Sequence, residues 1–169
     1  MQRGSIWPPR TMRDVAIRPF LPSDGVPLAD LHRRAILAIS SDFYSLAERE
    51  SWAQGLSADG YARSAANGEI FEIALGADST PIAFCGRRGD EVCGLYVDPD
   101  FHGRGIGKLL LARAETAIVA AGHDRTTLSA SLSAVSFYLA HGYYEAERTG
   151  FTSHGGLFIQ AARLEKVIV

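Results

Sequence analysis

Apolar residues change period along this chain, and the changes mark its elements. A short alternation over 15–18 suggests a strand. It gives way to apolar positions at Leu28, Leu31, Ala35 and Leu37 or Ile39, the three-to-four-residue spacing of a helix with one packed face, and Ser23 is its candidate cap. A second helical stretch is expected over 45–54, and another turn or two over 61–66, stopped by Asn67-Gly68. Strand character then takes over. The runs 70–75, 81–86 and 91–97 are separated by the turn-forming segments Gly76-Ala77-Asp78-Ser79 and Arg88-Gly89-Asp90, which reads as an antiparallel meander. Leu110, Ala114, Ala117, Ile118 and Ala121 restore helical spacing. A strand over 126–129 follows, then a helix from Ser133 or Ala134 to His141, and a closing hairpin of 143–148 with 157–166. With no repeat or low-complexity segment, the pattern is that of one α+β domain: a mixed, mostly antiparallel central sheet flanked by helices.

A chain of 169 residues suits one domain, which at this size buries about 68–70% of its unfolded surface. The 17 basic and 19 acidic residues leave a net charge of −2, which gives no global field for nucleic acid or an anionic membrane. Any anion site must be local. No apolar run approaches the roughly 18 residues of a spanning helix, and the N-terminus lacks the apolar stretch of a signal peptide, so a cytoplasmic location is expected. Residues 1–13, with Trp7-Pro8-Pro9-Arg10 and no periodicity, read as a disordered tail or as an upstream start ahead of Met12; the domain is expected over 14–169. Cys85 and Cys93 are too few for a thiolate zinc site, and no close His pair supplies further ligands, so no metal is expected. The two thiols could face each other across the hairpin at Arg88-Gly89-Asp90, but are read as free and core-facing. His32, His123, His141 and His154 read as surface or capping residues. A homodimer is left open.

The chemistry concentrates between 95 and 111. An apolar run ends at Asp98-Pro99, glycines alternate at Gly103, Gly105 and Gly107, and a helix follows. Glycines let an anion approach the main chain, and the unpaired N–H groups and positive dipole end of the helix favour negative charge, with Arg104 and Lys108 as added cations. A phosphorylated ligand is implied. The spacing excludes a G-x-G-x-x-G dinucleotide fingerprint, which needs glycine at Lys108 or Leu110. It also excludes a Walker A loop, which needs glycine at His102 and a hydroxyl residue at Leu109.

The segment His102-Gly103-Arg104-Gly105-Ile106-Gly107 resembles the Gln/Arg-x-x-Gly-x-Gly/Ala acyl-CoA loop of the GNAT superfamily of N-acyltransferases. Downstream, Ser133-Ala134-Val135-Ser136-Phe137-Tyr138-Leu139-Ala140-His141-Gly142-Tyr143 resembles that superfamily's Asn-x-x-Ala-x-x-Phe-Tyr-x-x-x-Gly-Phe helix. The departures are His102 for Gln/Arg and Ser133 for Asn. The first helices, with Asp42-Phe43-Tyr44-Ser45 and Trp52, resemble the YafP-like branch.

The resemblance implies a GNAT-like fold and transfer of acetyl from acetyl-CoA to a primary amine of a small molecule or peptide, by direct attack and without a metal. The alternative is a non-catalytic acyl-CoA binding or sensing module. It further implies that backbone groups of Leu95, Tyr96 and Val97 pair with the pantetheine arm and polarise the thioester. His102, Gly103, Arg104, Gly105, Ile106, Gly107 and Lys108 would cradle the pyrophosphate, with Ser133, Ser136 and Phe137 completing the cofactor side. Tyr138 would protonate the departing sulfur, since a phenol of pKa near 10 keeps its proton at neutral pH. Glu91, at the start of the same strand, would accept the amine's proton. The Ser40-Ser41-Asp42-Phe43-Tyr44 turn, Glu48, Trp52 and the loop over 150–156 would select the acceptor.

Overall fold

The computed structural model describes residues 15–169; the expected tail lies outside the described residues. β1 (Ala16–Pro19), β2 (Ile70–Leu75), β3 (Pro81–Arg88) and β4 (Glu91–Val97) form the antiparallel meander. β5 (Arg125–Ser131) joins β4 in parallel, and β7 (Phe158–Val167) and β6 (Tyr144–Thr152) complete a seven-stranded sheet ordered β1-β2-β3-β4-β5-β7-β6. A parallel pair needs a crossover, and α4 (Ile106–Ala120) supplies it. α5 (Val135–Ala140) lies between β5 and β6. α1 (Gly25–Leu37), α2 (Leu46–Ala53) and α3 (Ala58–Ala66) separate β1 from β2.

Two apolar layers hold the sheet between them. Leu110, Leu111, Ala114 and Ile118 of α4 pack with Ala83, Cys85, Val92, Leu128 and Leu164 on one face. On the other, Leu28 and Leu31 of α1 and Tyr61 of α3 pack with Phe71, Ile73 and Phe84. Leu111 thus takes a core position that the spacing gave to Ala117, while Ala121 becomes the exposed end of the helix.

The helix starts show where local chemistry overrides periodicity. Asp24, not Ser23, opens α1: its carboxylate takes the Leu21 N–H at 2.7 Å and both Arg18 guanidinium nitrogens at 2.7 and 2.8 Å. That charge pairing, led by the Arg18 hydrogen bond, holds the carboxyl below its ordinary range. α2 begins as expected at Ser45, whose hydroxyl accepts from Glu48 N at 3.2 Å while the Glu48 carboxylate accepts from Ser45 N at 2.7 Å. Cys85 and Cys93 are both free, but only Cys85 is in the core. A register shift between Gly86 and Arg87 leaves Cys93 out of the pairing, so the two thiols do not face each other and Cys93 is exposed.

Candidate functional site

The site is built where the sheet comes apart. β4 and β5 share only Glu91↔Thr127 and Val92↔Leu128; beyond Val92, β4 keeps β3 on one side and has no strand on the other. Asp98 N–H donates to Ile82 O at 2.8 Å. By the alternation of an antiparallel ladder, Tyr96 then bonds to Phe84, while the main-chain groups of Leu95 and Val97 turn toward the gap. Of the three residues expected to pair with the pantetheine arm, Leu95 and Val97 thus face the gap with their main chain, whereas Tyr96 pairs with β3 and sends its ring to the α1 face. The gap also differs from expectation at its mouth, where His102 Nε2–H donates to Val97 O at 2.9 Å.

The glycine loop stands at the open end of this gap. Gly103 and Gly105 adopt φ of 72° and 79°, which a side chain would strain. Gly105 caps α4, and Leu109 N–H, donating to Gly105 O at 3.1 Å, is the first amide of that helix with a helical partner. Ile106, Gly107 and Lys108 thus present their N–H groups outward from a helix N-terminus. A Cβ on Gly107 would sit 3.6 Å from Phe137 and 3.7 Å from Val97, so loop, gap and α5 meet at this point. Lys108 is exposed in the first turn. Arg104 folds back, its guanidinium over the Phe101 ring at 5.2 Å and donating to Asp100 O at 3.4 Å. The cradle fits a diphosphate chiefly through main-chain donors.

On α5, Tyr138 packs its ring against Phe137 at 5.1 Å and Tyr143 at 5.5 Å. It is only 6% exposed, and burial, with Cys85 and Tyr96 nearby, pushes its phenol far above the ordinary range. It stays protonated at any neutral pH and can donate. Ser133 pairs its hydroxyl with Ser131 at 2.9 Å, and Ser136 is exposed. Glu91 is exposed at the closed end of the gap, on the order of 13 Å along the strand from Leu95.

Of the segments expected to select the acceptor, Tyr44, Trp52 and the 150–156 loop are brought together. Tyr44 is buried, donating to Gln160 O at 2.6 Å and accepting from Leu132 N at 2.8 Å. Trp52 stands edge-on to Tyr44 and to Phe151, at 5.7 Å each. Ser51 and Ser153 share a hydrogen bond of 2.6 Å, and Gly155 N donates to Ser51 O at 3.1 Å, so α2 carries the 150–156 loop. Tyr44 is thus a scaffold residue, and Glu48 is spent on capping. His32, read as a surface or capping histidine, is half-buried, with its ring 3.8 Å from Tyr96 and Nδ1 3.1 Å from the Tyr61 hydroxyl. His141 does cap, Nδ1–H donating to Phe137 O at 2.7 Å.

Sequence reasoning missed Glu69, which lies against the sheet beside Gly86, and the Arg34–Asp98 pair. The turn Asn67-Gly68 ahead of Glu69 was the one available signal. Among the described residues no three His, Cys, Asp or Glu side chains gather as a metal site, and no helix is long and apolar enough to cross a membrane.

The sequence matches the family model of the acetyltransferase (GNAT) domain over residues 29–160. It is 24% identical over 147 residues to the uncharacterized N-acetyltransferase YafP of Escherichia coli K12, covering 87% of this chain and 93% of that protein. Among solved structures, a GCN5-related N-acetyltransferase from Rhodopseudomonas palustris is 31% identical with a TM-score of 0.82, covering 90% of this chain and 95% of that one. The PaiA N-acetyltransferase of Thermoplasma acidophilum, solved in complex with coenzyme A, is 25% identical with a TM-score of 0.72, covering 91% and 99%.

Proposed function

The chain belongs to the GNAT acetyltransferase family and is an acetyl-CoA-dependent N-acetyltransferase, and we propose that it acetylates a primary amine by direct attack on the thioester held in the β4–β5 gap. The observation that carries this reading is the conjunction of the gap, with the Leu95 and Val97 main chain turned into it, and the open N-terminus of α4 at its mouth.

The pyrophosphate rests on the N–H groups of Ile106, Gly107 and Lys108, and the pantetheine arm adds to the free edge of β4. A β4 N–H polarises the thioester carbonyl. An alkylamine of pKa near 10.4 arrives mostly protonated. A carboxylate takes its proton, Glu91 at the closed end of the gap or Glu69 over Gly86 on the neighbouring strand. The neutral nitrogen forms the C–N bond, the tetrahedral intermediate expels the thiolate, and Tyr138 gives that sulfur its proton. The second amine proton returns to solvent as Tyr138 is reprotonated. The two unpaired thiols fit a reducing, cytoplasmic setting.

The test is release of free thiol from acetyl-CoA with a panel of primary amines, read with a thiol-reactive chromophore. Amine-dependent release supports transfer. Tight acetyl-CoA binding with no release from any amine would instead favour the non-catalytic module.

A further inference from the structure

The α1 face of the sheet carries a row of small residues with a carboxylate laid over it, which the cofactor half of the transferase reading does not need. Phe71, Gly86 and Gly94 lie opposite one another on β2, β3 and β4, so one row across three strands holds two residues without side chains. The neighbouring row, Ile73, Phe84 and Tyr96, is filled and packed under α1 and α3. The bare row is filled from its two ends. Glu69, just ahead of β2, lays its carboxylate over Gly86, where an added Cβ would meet Glu69 Oε1 and come within 3.0 Å of its carboxyl carbon. From the other end the Tyr96 ring folds over Gly94, its Cε2 at 3.3 Å from where a Cβ would be. Gly86 is thus required by the carboxylate that covers it.

Glu69 is held but not neutralised. Its side chain is 12% exposed, and the one cation near it, Arg88, stays 3.9 Å away and is itself half in solvent. The groups facing it are Arg88 on β3, Ser64 on α3, and Glu91 and Cys93 on β4. Burial raises its pKa, Arg88 and Ser64 oppose that, and Glu91 adds to it. Gly94 is one strand spacing from Gly86, roughly 5 Å, and the free edge of β4 lies just beyond. A carboxylate over Gly86 therefore stands within about one water's reach of a nucleophile placed at the free edge of β4 beside Gly94. Glu91, by contrast, is exposed at the strand's start.

Resting on that transferase reading, we propose that Glu69, lying over Gly86, is the residue that receives the acceptor's ammonium and takes its proton, directly or through one water, with the Tyr96 ring on the other side of the same row. The acceptor class this implies is an unbranched alkylammonium. Its charge pairs with Glu69 and its methylene stem lies against the half-buried Tyr96 ring, since an aromatic ring beside a carboxylate suits a cation. Glu69 turns RNH₃⁺ into RNH₂ and carries the proton away as its own carboxylic acid, which solvent deprotonates after the C–N bond has formed.

The experiment measures kcat/KM for acetyl transfer to n-butylamine, benzylamine and Nα-acetyl-lysine amide as a function of pH. The proteins compared are the native chain, Glu69→Gln, Glu69→Asp and Glu91→Gln, with thermal unfolding and acetyl-CoA affinity as controls. The native enzyme should reach a plateau once Glu69 is ionised, because base and ammonium then trade one proton between them. Glu69→Gln should lose roughly 10²-fold or more at pH 7 and rise tenfold per pH unit toward the amine's own pKa, with acetyl-CoA affinity unchanged. Glu69→Asp should keep the plateau at a reduced height, which a merely structural carboxylate would not do. Native-like rates and a plateau in Glu69→Gln, or the loss appearing in Glu91→Gln instead, would overturn the assignment. No thiol release from the native protein with any of the three amines would overturn the transferase reading and this one with it.

Discussion

Arg34 grips Asp98 with both guanidinium arms, at 2.9 and 2.8 Å, and so ties α1 to the end of β4. Asp98 also accepts the Asp100 N–H at 3.0 Å and caps the turn that leads into the glycine loop. Burial alone would raise its pKa; the Arg34 hydrogen bonds and the Asp100 N–H override this and hold it below the ordinary carboxylate range. One carboxylate therefore links α1 to the glycine loop ahead of α4. Arg34→Met should cost about 1–3 kcal/mol in urea unfolding, because Asp98 is left buried without its cation. It should weaken acetyl-CoA several-fold by loosening the turn. Unchanged acetyl-CoA affinity alongside lost stability would confine the pair to a structural role.

Gly105 is the hinge of the cradle, at φ 79° as the cap of α4. Gly105→Glu should destabilise the free protein by about 1–2 kcal/mol for the left-handed backbone alone. It also sets a negative charge where the pyrophosphate belongs. For the native protein, acetyl-CoA at 100 times its dissociation constant should add about 2.7 kcal/mol; in the variant that thermal shift should vanish. A full shift in the variant would remove the loop from the site.

Elements whose evidence is periodic or glycine-based were legible: the expected strands over 70–75 and 91–97 match Ile70–Leu75 and Glu91–Val97, and the loop opens α4 as expected. What the sequence could not show depends on partners distant along the chain. Asp24 rather than Ser23 starts α1 because Arg18 on β1 reaches it. His32 is half-buried because the ring of Tyr96, far along the chain, packs against it. Tyr96 was grouped with its neighbours as a cofactor contact, yet strand pairing alternates sides with every residue and that parity is set by β3. Glu69 carries no motif; only the two glycines facing each other across β3 and β4 give it a place to lie.

Tyr138→Phe keeps the ring contacts with Phe137 and Tyr143 and deletes only the hydroxyl. If that hydroxyl protonates the leaving sulfur, acetyl-CoA affinity should stay near native while kcat falls roughly 10²–10⁴-fold. Tyr143→Phe is the matched control. Its hydroxyl donates to Glu115 Oε1 at 2.9 Å, so the variant should lose about 1 kcal/mol of stability and keep its turnover. Native-rate turnover by Tyr138→Phe, where chemistry limits the rate, would give the donor role to water or another residue.

His32 makes the folded chain sensitive to acid. Burial, with Arg33 adding to it, lowers the His32 pKa to about 3 in the folded chain; the unfolded value is about 6.5. The folded state therefore keeps this imidazole neutral while the unfolded state takes up a proton, and stability is lost as pH falls through that interval. It is fully present above about pH 6.5 and declines by about 1.4 kcal/mol per pH unit below it, until the folded histidine also titrates near 3. Carboxylates held low, such as Asp24, add their loss only below about pH 4, so the upper part of the decline belongs to His32. His32→Phe retains an aromatic ring beside Tyr96 and Phe84 but surrenders the hydrogen bond to Tyr61. It should be about 1 kcal/mol less stable at pH 8 and show no decline between pH 6.5 and 4.5 by urea unfolding, where Glu69, its pKa raised by burial, acts in the opposite direction. An equal decline in both proteins over that interval would show that His32 is not the group that titrates.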